Sequence, residues 1–289
     1  MTLVGISSDV PIGYLDLSFV IICHNHEKYI EECILSVIET LPEPAKLIIV
    51  DSGSSDSTIS QAMKVLSSRG REAIFLSTGN NPNTSVSALK VSLPHVSTKW
   101  FGILSGDDAL LPEYGKNALN ALNAWGDSVV LNFVQSMCDE KGNFLRKSKP
   151  RWTRWAKINK LLLILENPGK APGAIIPIDL LRKSEFTSFS DEVLIEDYLL
   201  WTALVDTAKI RTVRTGGVLY RQHESSLSNA RNSMAFAESI GYCMGLAERS
   251  AQTLLQKKLY RIGAHRWLRQ VDRSLHQEVI AAQSKGRRL

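Results

Sequence analysis

Two carboxylates stand side by side at Asp107-Asp108, within the stretch Leu104-Ser105-Gly106-Asp107-Asp108-Ala109-Leu110-Leu111-Pro112. Adjacent aspartates repel each other, and that cost falls when a divalent cation sits between them and a substrate phosphate. The same pair also fits a polar turn before a helix, with Asp108 near the cap. A second acidic pair, Glu196-Asp197, opens an apolar stretch that runs to Asp206. Acids at a helix N-terminus are favoured by its dipole, an effect worth under about 1 kcal/mol. His223 offers an imidazole of the kind that binds a metal or a phosphate, although a lone histidine near a turn is as often neither. Arg221 could clamp a phosphate or pair with Glu224.

The elements that must position these groups alternate between strand and helix. Leu17–Cys23 is a β-branched run that predicts a strand, and Lys46–Val50, Ala73–Leu76, Lys99–Leu104 and Ser128–Val134 predict four more. Between them, Tyr29, Ile30, Cys33, Ile34, Val37, Ile38 and Leu41 recur at helical spacing, with Pro42 and Pro44 as the stop. Further helices are predicted over Thr58–Ser68, Ser85–Leu93 and Glu113–Trp125. Later come a short strand at Gly173–Pro177, a helical turn at Asp179–Ser184, the helix from Glu196 and two strands at Lys209–Val213 and Val218–Arg221. This order implies an α/β fold whose mostly parallel sheet is sandwiched by helices. In that frame Asp107-Asp108 follow the carboxyl end of a strand, where open α/β sheets form ligand crevices. Residues 1–16 read as a lead-in, 17–228 as the main domain and 229–289 as a helical extension with a break around Gly263.

Composition narrows the function classes. The 289 residues are 44% hydrophobic and 22% charged, as in an ordinary globular protein, with a net charge of +5. Cys23, Cys33, Cys138 and Cys243 are far apart, which argues against a zinc site or a disulfide framework and for a reducing cytoplasm. Acidic Asp9 and Asp16 without a long apolar core argue against a signal peptide, and no apolar run reaches membrane-spanning length. Two basic regions stand out. Residues 146–160 interleave Trp152 and Trp155 with seven cations, and 257–273 carry Lys257, Lys258, Arg261, Arg266, Arg269 and Arg273 among apolar residues. Both suit an anionic surface, such as the inner face of the cell membrane, and the second fits equally well as a solvated helix face over a core contact. No nucleic-acid module accompanies the charge, so nucleic acid is not an expected partner. His24-Asn25-His26 stand where a dinucleotide fold would need Gly-x-Gly-x-x-Gly.

Five segments in one order resemble the family-2 glycosyltransferases. Phe19–Ile30 is similar to that family's first strand and helix, with Glu32 and Ser36-Val37 matching the piece that follows. Ile48–Thr58 resembles its V-D-D-G-S-x-D-x-T loop, and Leu104–Pro112 its metal-binding turn. Ile195–Trp201 is similar to its G-E-D-x-x-L-W helix start, and Tyr220–Ser228 to Y-R-x-H-x-x-S-x-S. The match covers roughly residues 17–230. Departures occur at Cys23 and His24, in place of proline and tyrosine, and at Ser52 and Ser105, in place of acids.

The resemblance implies a GT-A-type fold and an inverting hexosyltransferase moving a sugar from a nucleotide-sugar donor to a glycan or lipid-linked glycan, as in cell-surface polysaccharide synthesis. By the same resemblance Asp108 is the direct ligand of Mn²⁺ or Mg²⁺, with His223 as a second metal candidate. Asp107, Asp51 and Asn25 face the nucleotide, and Glu196 and Arg221 are candidates for phosphate or acceptor contact. The acceptor hydroxyl hardly ionises at neutral pH, so a carboxylate must take its proton, and the resemblance assigns that to Asp197. His26 reads as a surface residue. The departures favour a rival class, a catalytically lapsed homologue that binds nucleotide or glycan as an assembly partner.

Overall fold

A computed structural model describes residues 16–41, 45–126, 128–147, 157–224, 226 and 233–288. Pro42, Pro44, the tryptophans and three cations of region 146–160 (Lys149, Arg151 and Arg154), Ser225, Leu227 and Ser228 lie outside the described residues, as does nearly all of the lead-in.

Strand β1 (Leu17–Cys23) is buried along its whole length, as an apolar run flanked on both sides must be. It pairs in parallel with β2 (Lys46–Asp51) on one side and β4 (Trp100–Ser105) on the other, and β3 (Ala73–Ser77) extends the sheet beyond β2. The connecting helices are α1 (Ile30–Thr40), α2 (Thr58–Ser68) and α3 (Ser85–Ser92). On α1 the residues at three- and four-residue spacing, Ile30, Cys33, Ile34 and Val37, are the buried ones.

Beyond β4 come β5 (Ala109–Leu110), α4 (Tyr114–Trp125), β6 (Val129–Cys138), β7 (Phe144–Lys147), β8 (Lys157–Ile158), α5 (Lys160–Leu165), β9 (Ile175–Pro177), α6 (Ile178–Arg182), α7 (Glu196–Leu204) and β10 (Lys209–Arg221). The sheet runs β3-β2-β1-β4-β9-β6-β10-β5, with β7 on β6 and β8 on β10. Its long ladders are parallel, including β6 with β10, and the antiparallel pairings come from the short strands. The two late strands expected from the sequence are one strand, β10, whose register shifts between Val213 and Val218. The bulge absorbs the residues that read as a break.

Helices α8 (Met234–Ser250), α9 (Leu254–Leu268) and α10 (His276–Arg287) complete the chain. Ala237, Ile240, Trp267 and Val279 share one buried core with Tyr198, Leu199 and Trp201 of α7. Trp267 meets Tyr198 edge-on, ring centroids 5.0 Å apart. The break expected at Gly263 is absent, for Gly263 lies inside α9. A Cβ there would stand 2.5 Å from the Ile164 carbonyl oxygen, so glycine is used for close approach to α5. The helical run is interrupted instead at 251–253 and 269–275.

Candidate active site

The register of β1 and β4 brings their carboxyl ends together, Ile22 opposite Ser105, and the Gly106 N–H donates to the Ile22 carbonyl at 2.7 Å. The turn carrying Asp107 and Asp108 therefore emerges beside the His24–His26 loop. Both line a cavity of about 330 Å³, whose other walls include Ser52, Asn167, Lys170, Glu196, Asp197, Tyr220 and Trp267. The two acidic pairs, 88 residues apart in sequence by 196 − 108, thus face one hollow.

Asp108 is 2% exposed. Its Oδ1 accepts the Arg221 backbone N–H at 2.9 Å, directly beyond the β5–β10 ladder, while Oδ2 has no protein partner. Burial and the neighbouring Asp107 charge push its carboxyl well above the ordinary range. Asp107 behaves oppositely. Burial opposes its ionisation, but the His223 hydrogen bond, the His26 ring and the Ser105 hydroxyl together outweigh that and hold it at about 2. His223 Nε2 lies 3.0 Å from Asp107 Oδ2, and His26 Nε2 lies 3.9 Å from the same oxygen. Burial holds the His26 imidazole below its ordinary value, and the contact from His223 is the shorter of the two. Asp107 Oδ1 is buried without a partner.

Those orphaned oxygens are the test of fit for a divalent cation. Asp107 Oδ1 and Asp108 Oδ2 are hard donors on adjacent residues, each buried and unsatisfied, which a cation would remedy. Among the described residues no cluster of three or more His, Cys, Asp or Glu side chains forms a complete cage. A metal here would draw on the aspartate turn and complete its shell with phosphate and water, the usual arrangement for Mg²⁺ and its relatives.

Glu196 and Asp197, which line the same cavity, begin α7. Asp197 Oδ1 accepts from Asn167 Nδ2 and from the Tyr198 N–H, both at 2.8 Å. Burial pushes Asp197 up, while Lys170 and these hydrogen bonds pull it back. Glu196 is raised further, by burial and then by the Asp197 charge. Both carboxyls are raised, and the two titrate as one interacting pair.

Other candidates fall outside the cavity lining. Asn25, at φ 55°, accepts the Ser55 N–H at 2.8 Å and donates its own backbone N–H to the Ser54 hydroxyl oxygen, so it fastens the first loop to the second. Asp51 accepts the Ser54 N–H at 3.1 Å. The Arg221 side chain is engaged inside the protein, away from Glu224. It is 2% exposed, with its guanidinium on Glu32 Oε2 at 2.6 Å, on the Asp107 carbonyl at 2.9 Å and over the Tyr29 ring. His223 contacts Asp107 rather than Asp108. His26, expected at the surface, lines the cavity. Lys170, Asn167 and Trp267 gave no motif signal; each comes from a segment that only folding brings to the strand ends.

The chain has a GT-A-type fold, with an acid-lined crevice where β1 and β4 end. The glycosyl transferase family 2 model matches residues 18–186, more than half of the chain, and the protein belongs to that family. An uncharacterized glycosyltransferase of Haemophilus influenzae is 23% identical over 225 residues, 75% of this chain and 68% of that protein. One from Rickettsia bellii is 26% identical over 199 residues, of which this chain spans only 28% of the length. Among solved structures, S. aureus TarS 1-349 in complex with UDP-GlcNAc is 16% identical with a TM-score of 0.62, covering 94% of this chain and 88% of that one. The mannosyltransferase PcManGT from Pyrobaculum calidifontis, in complex with GDP-Man and Mn2+, is 14% identical with a TM-score of 0.63, covering 94% and 75%. At such identities the likeness speaks for the fold.

Proposed function

We propose that the protein is a metal-dependent, inverting hexosyltransferase that moves a sugar from a nucleotide-sugar donor to a glycan or lipid-linked glycan. One observation carries this reading: the aspartate turn with two unsatisfied oxygens and the Glu196-Asp197 pair share one cavity. The donor's nucleotide enters along the loops after β1 and β2, where the Ser52 hydroxyl is buried without a partner. Asp108, with Asp107 beside it, would hold Mn²⁺ or Mg²⁺, whose charge would favour departure of the nucleoside diphosphate. His223 steadies Asp107 instead of binding the ion. Asn167 and the Tyr198 N–H orient Asp197 through Oδ1. The acceptor hydroxyl attacks the anomeric carbon as the bond to the diphosphate breaks, and Asp197 takes its proton; a single displacement inverts the anomeric centre.

Two features of α9 support an accompanying contact with an anionic membrane face. Leu254, Leu255 and Ile262 are 82%, 62% and 52% exposed, beside exposed Lys257, Lys258 and Arg261. Exposed apolar residues among cations suit a headgroup boundary. No described helix is long and apolar enough to cross a membrane. Co-sedimentation with phosphatidylglycerol vesicles, but not with neutral ones, checks this contact.

Thermal-shift screening of UDP-, GDP- and dTDP-sugars with and without Mn²⁺, followed by turnover with the donor that binds, tests the central reading. Stabilisation with product supports a transferase. Stabilisation without hydrolysis or transfer supports the lapsed homologue, for which the residues at Cys23, Ser52 and Ser105 are the reason to ask.

A further inference from the structure

The cavity holds four carboxylates, yet its donor carries a diphosphate. Among the described residues that line it, Lys170 is the one lysine or arginine. Its ammonium lies 4.1 Å from the centroid of the Tyr220 ring. It forms no ion pair with a described carboxylate, although its charge acts on Asp108, Glu196 and Asp197 alike. A lysine that lines the cavity with both acidic pairs, ion-paired with neither and hydrogen-bonded to Tyr220, keeps its remaining donors for a third anion.

The backbone around it is fixed on both sides. The Gly169 carbonyl accepts the Trp201 indole N–H at 3.0 Å, and the Pro172 carbonyl accepts Gln135 Nε2 at 2.9 Å. Gly173 donates to the Ile103 carbonyl at 2.6 Å and accepts the Tyr114 hydroxyl at 2.8 Å. Gly173 stands at φ +82°, and a Cβ there would lie 2.3 Å from Val218, so this stapled loop has one way to run. Such a loop presents its side chain at constant position, which is what a binding group needs. With Arg221 committed to Glu32 and the Asp107 carbonyl, the cation for phosphate must come from elsewhere.

We infer that Lys170 is the protein's own cation for the diphosphate of the donor, holding it between the aspartate turn and Asp197. The inference rests on the nucleotide-sugar reading above and adds a residue to it. The competing role is purely internal: Lys170 serves only to offset the charge of Glu196 and Asp197.

Calorimetric titration separates these roles. Lys170→Met and Lys170→Arg are compared with the wild type, using UDP, GDP and dTDP against uridine, guanosine and thymidine, in Mn²⁺ and again in EDTA. Thermal melting checks folding, and Lys170→Gln replaces the methionine variant if that melts early. Loss of one charge-assisted contact weakens the nucleoside diphosphates on the order of 10- to 100-fold. The loss appears in EDTA as well as in Mn²⁺, nucleoside affinity stays within about twofold, and arginine restores most of it. Diphosphate affinity unchanged in the methionine and glutamine variants, or lost in equal measure for the bare nucleosides, overturns the assignment. A wild type that binds no UDP, GDP or dTDP overturns the nucleotide reading itself, and Lys170's role with it.

Discussion

The backbone N–H of Arg221 donates to Asp108 Oδ1 at 2.9 Å, so the last residue of β10 closes the aspartate turn across 113 positions of sequence. The guanidinium of the same residue reaches Glu32 and the Asp107 carbonyl. The segment Tyr220–His223 thus acts as the clasp of the acidic turn: Arg221 from its main chain and side chain, His223 through Asp107 Oδ2.

Arg221→Met is therefore expected to destabilise the fold by about 3 kcal/mol, the lower end for breaking a buried charge network. Glu32 is half-exposed, so solvent screens its share and Glu32→Gln costs under about 1 kcal/mol. Urea denaturation checks both. Equal, small losses would mean that the carbonyl contacts of Arg221 carry little.

Asp108→Asn keeps the acceptor for the Arg221 N–H and removes a buried charge, so the folded protein should melt no lower than wild type without metal. Donor turnover should fall about 10²- to 10³-fold, the range for removing one fixed electrostatic group. Mn²⁺ should raise the Tm of the wild type and not of the variant. A variant that kept wild-type turnover would sink the metal assignment.

The second pair predicts a pH dependence. Asp197 must be ionised to accept a proton and burial raises its pKa, so kcat/KM rises with pH on an acid limb above the ordinary carboxylate range. Asp197→Asn should lower kcat about 10²- to 10⁴-fold with donor binding intact. Glu196, raised to about 8, holds its proton in the folded protein where the unfolded chain has lost it. The folded state then binds more protons, so this residue's contribution to stability declines as pH rises from about 4.3 towards 8. Glu196→Gln should gain in Tm over the wild type as pH goes from 5 to 8; a gap that narrows with pH would refute the sign.

Gly263→Ala sets two effects against each other. Alanine gains about 1 kcal/mol in helix propensity, while its methyl would stand 2.5 Å from the Ile164 carbonyl oxygen and 2.8 Å from that of Leu165. Backbone on both sides cannot yield cheaply, and overpacking of this kind costs about 1–3 kcal/mol. Net destabilisation in thermal melting is the expected outcome; a gain would show that α9 and α5 can part freely.

The early strands and helices were legible because β-branched runs and three-to-four spacing encode local geometry, and Thr58–Ser68 is a helix over the predicted span. The merging of Lys209–Val213 with Val218–Arg221 was not, since a bulge is satisfied by the partner strand β6. Nor was the intact helix at Gly263, whose reason lies in α5, about a hundred residues away.

The sequence by itself determined the family, the α/β order of elements and which acids stand in pairs, because residue type and short-range spacing carry that information. Tertiary structure alone decided what those groups touch. It set Arg221 on Glu32 and the Asp107 carbonyl, set His223 on Asp107, and drew Lys170, Asn167 and Trp267 to the strand ends. Distance and burial fix a charged group's role, and neither exists until segments far apart in the chain have packed together.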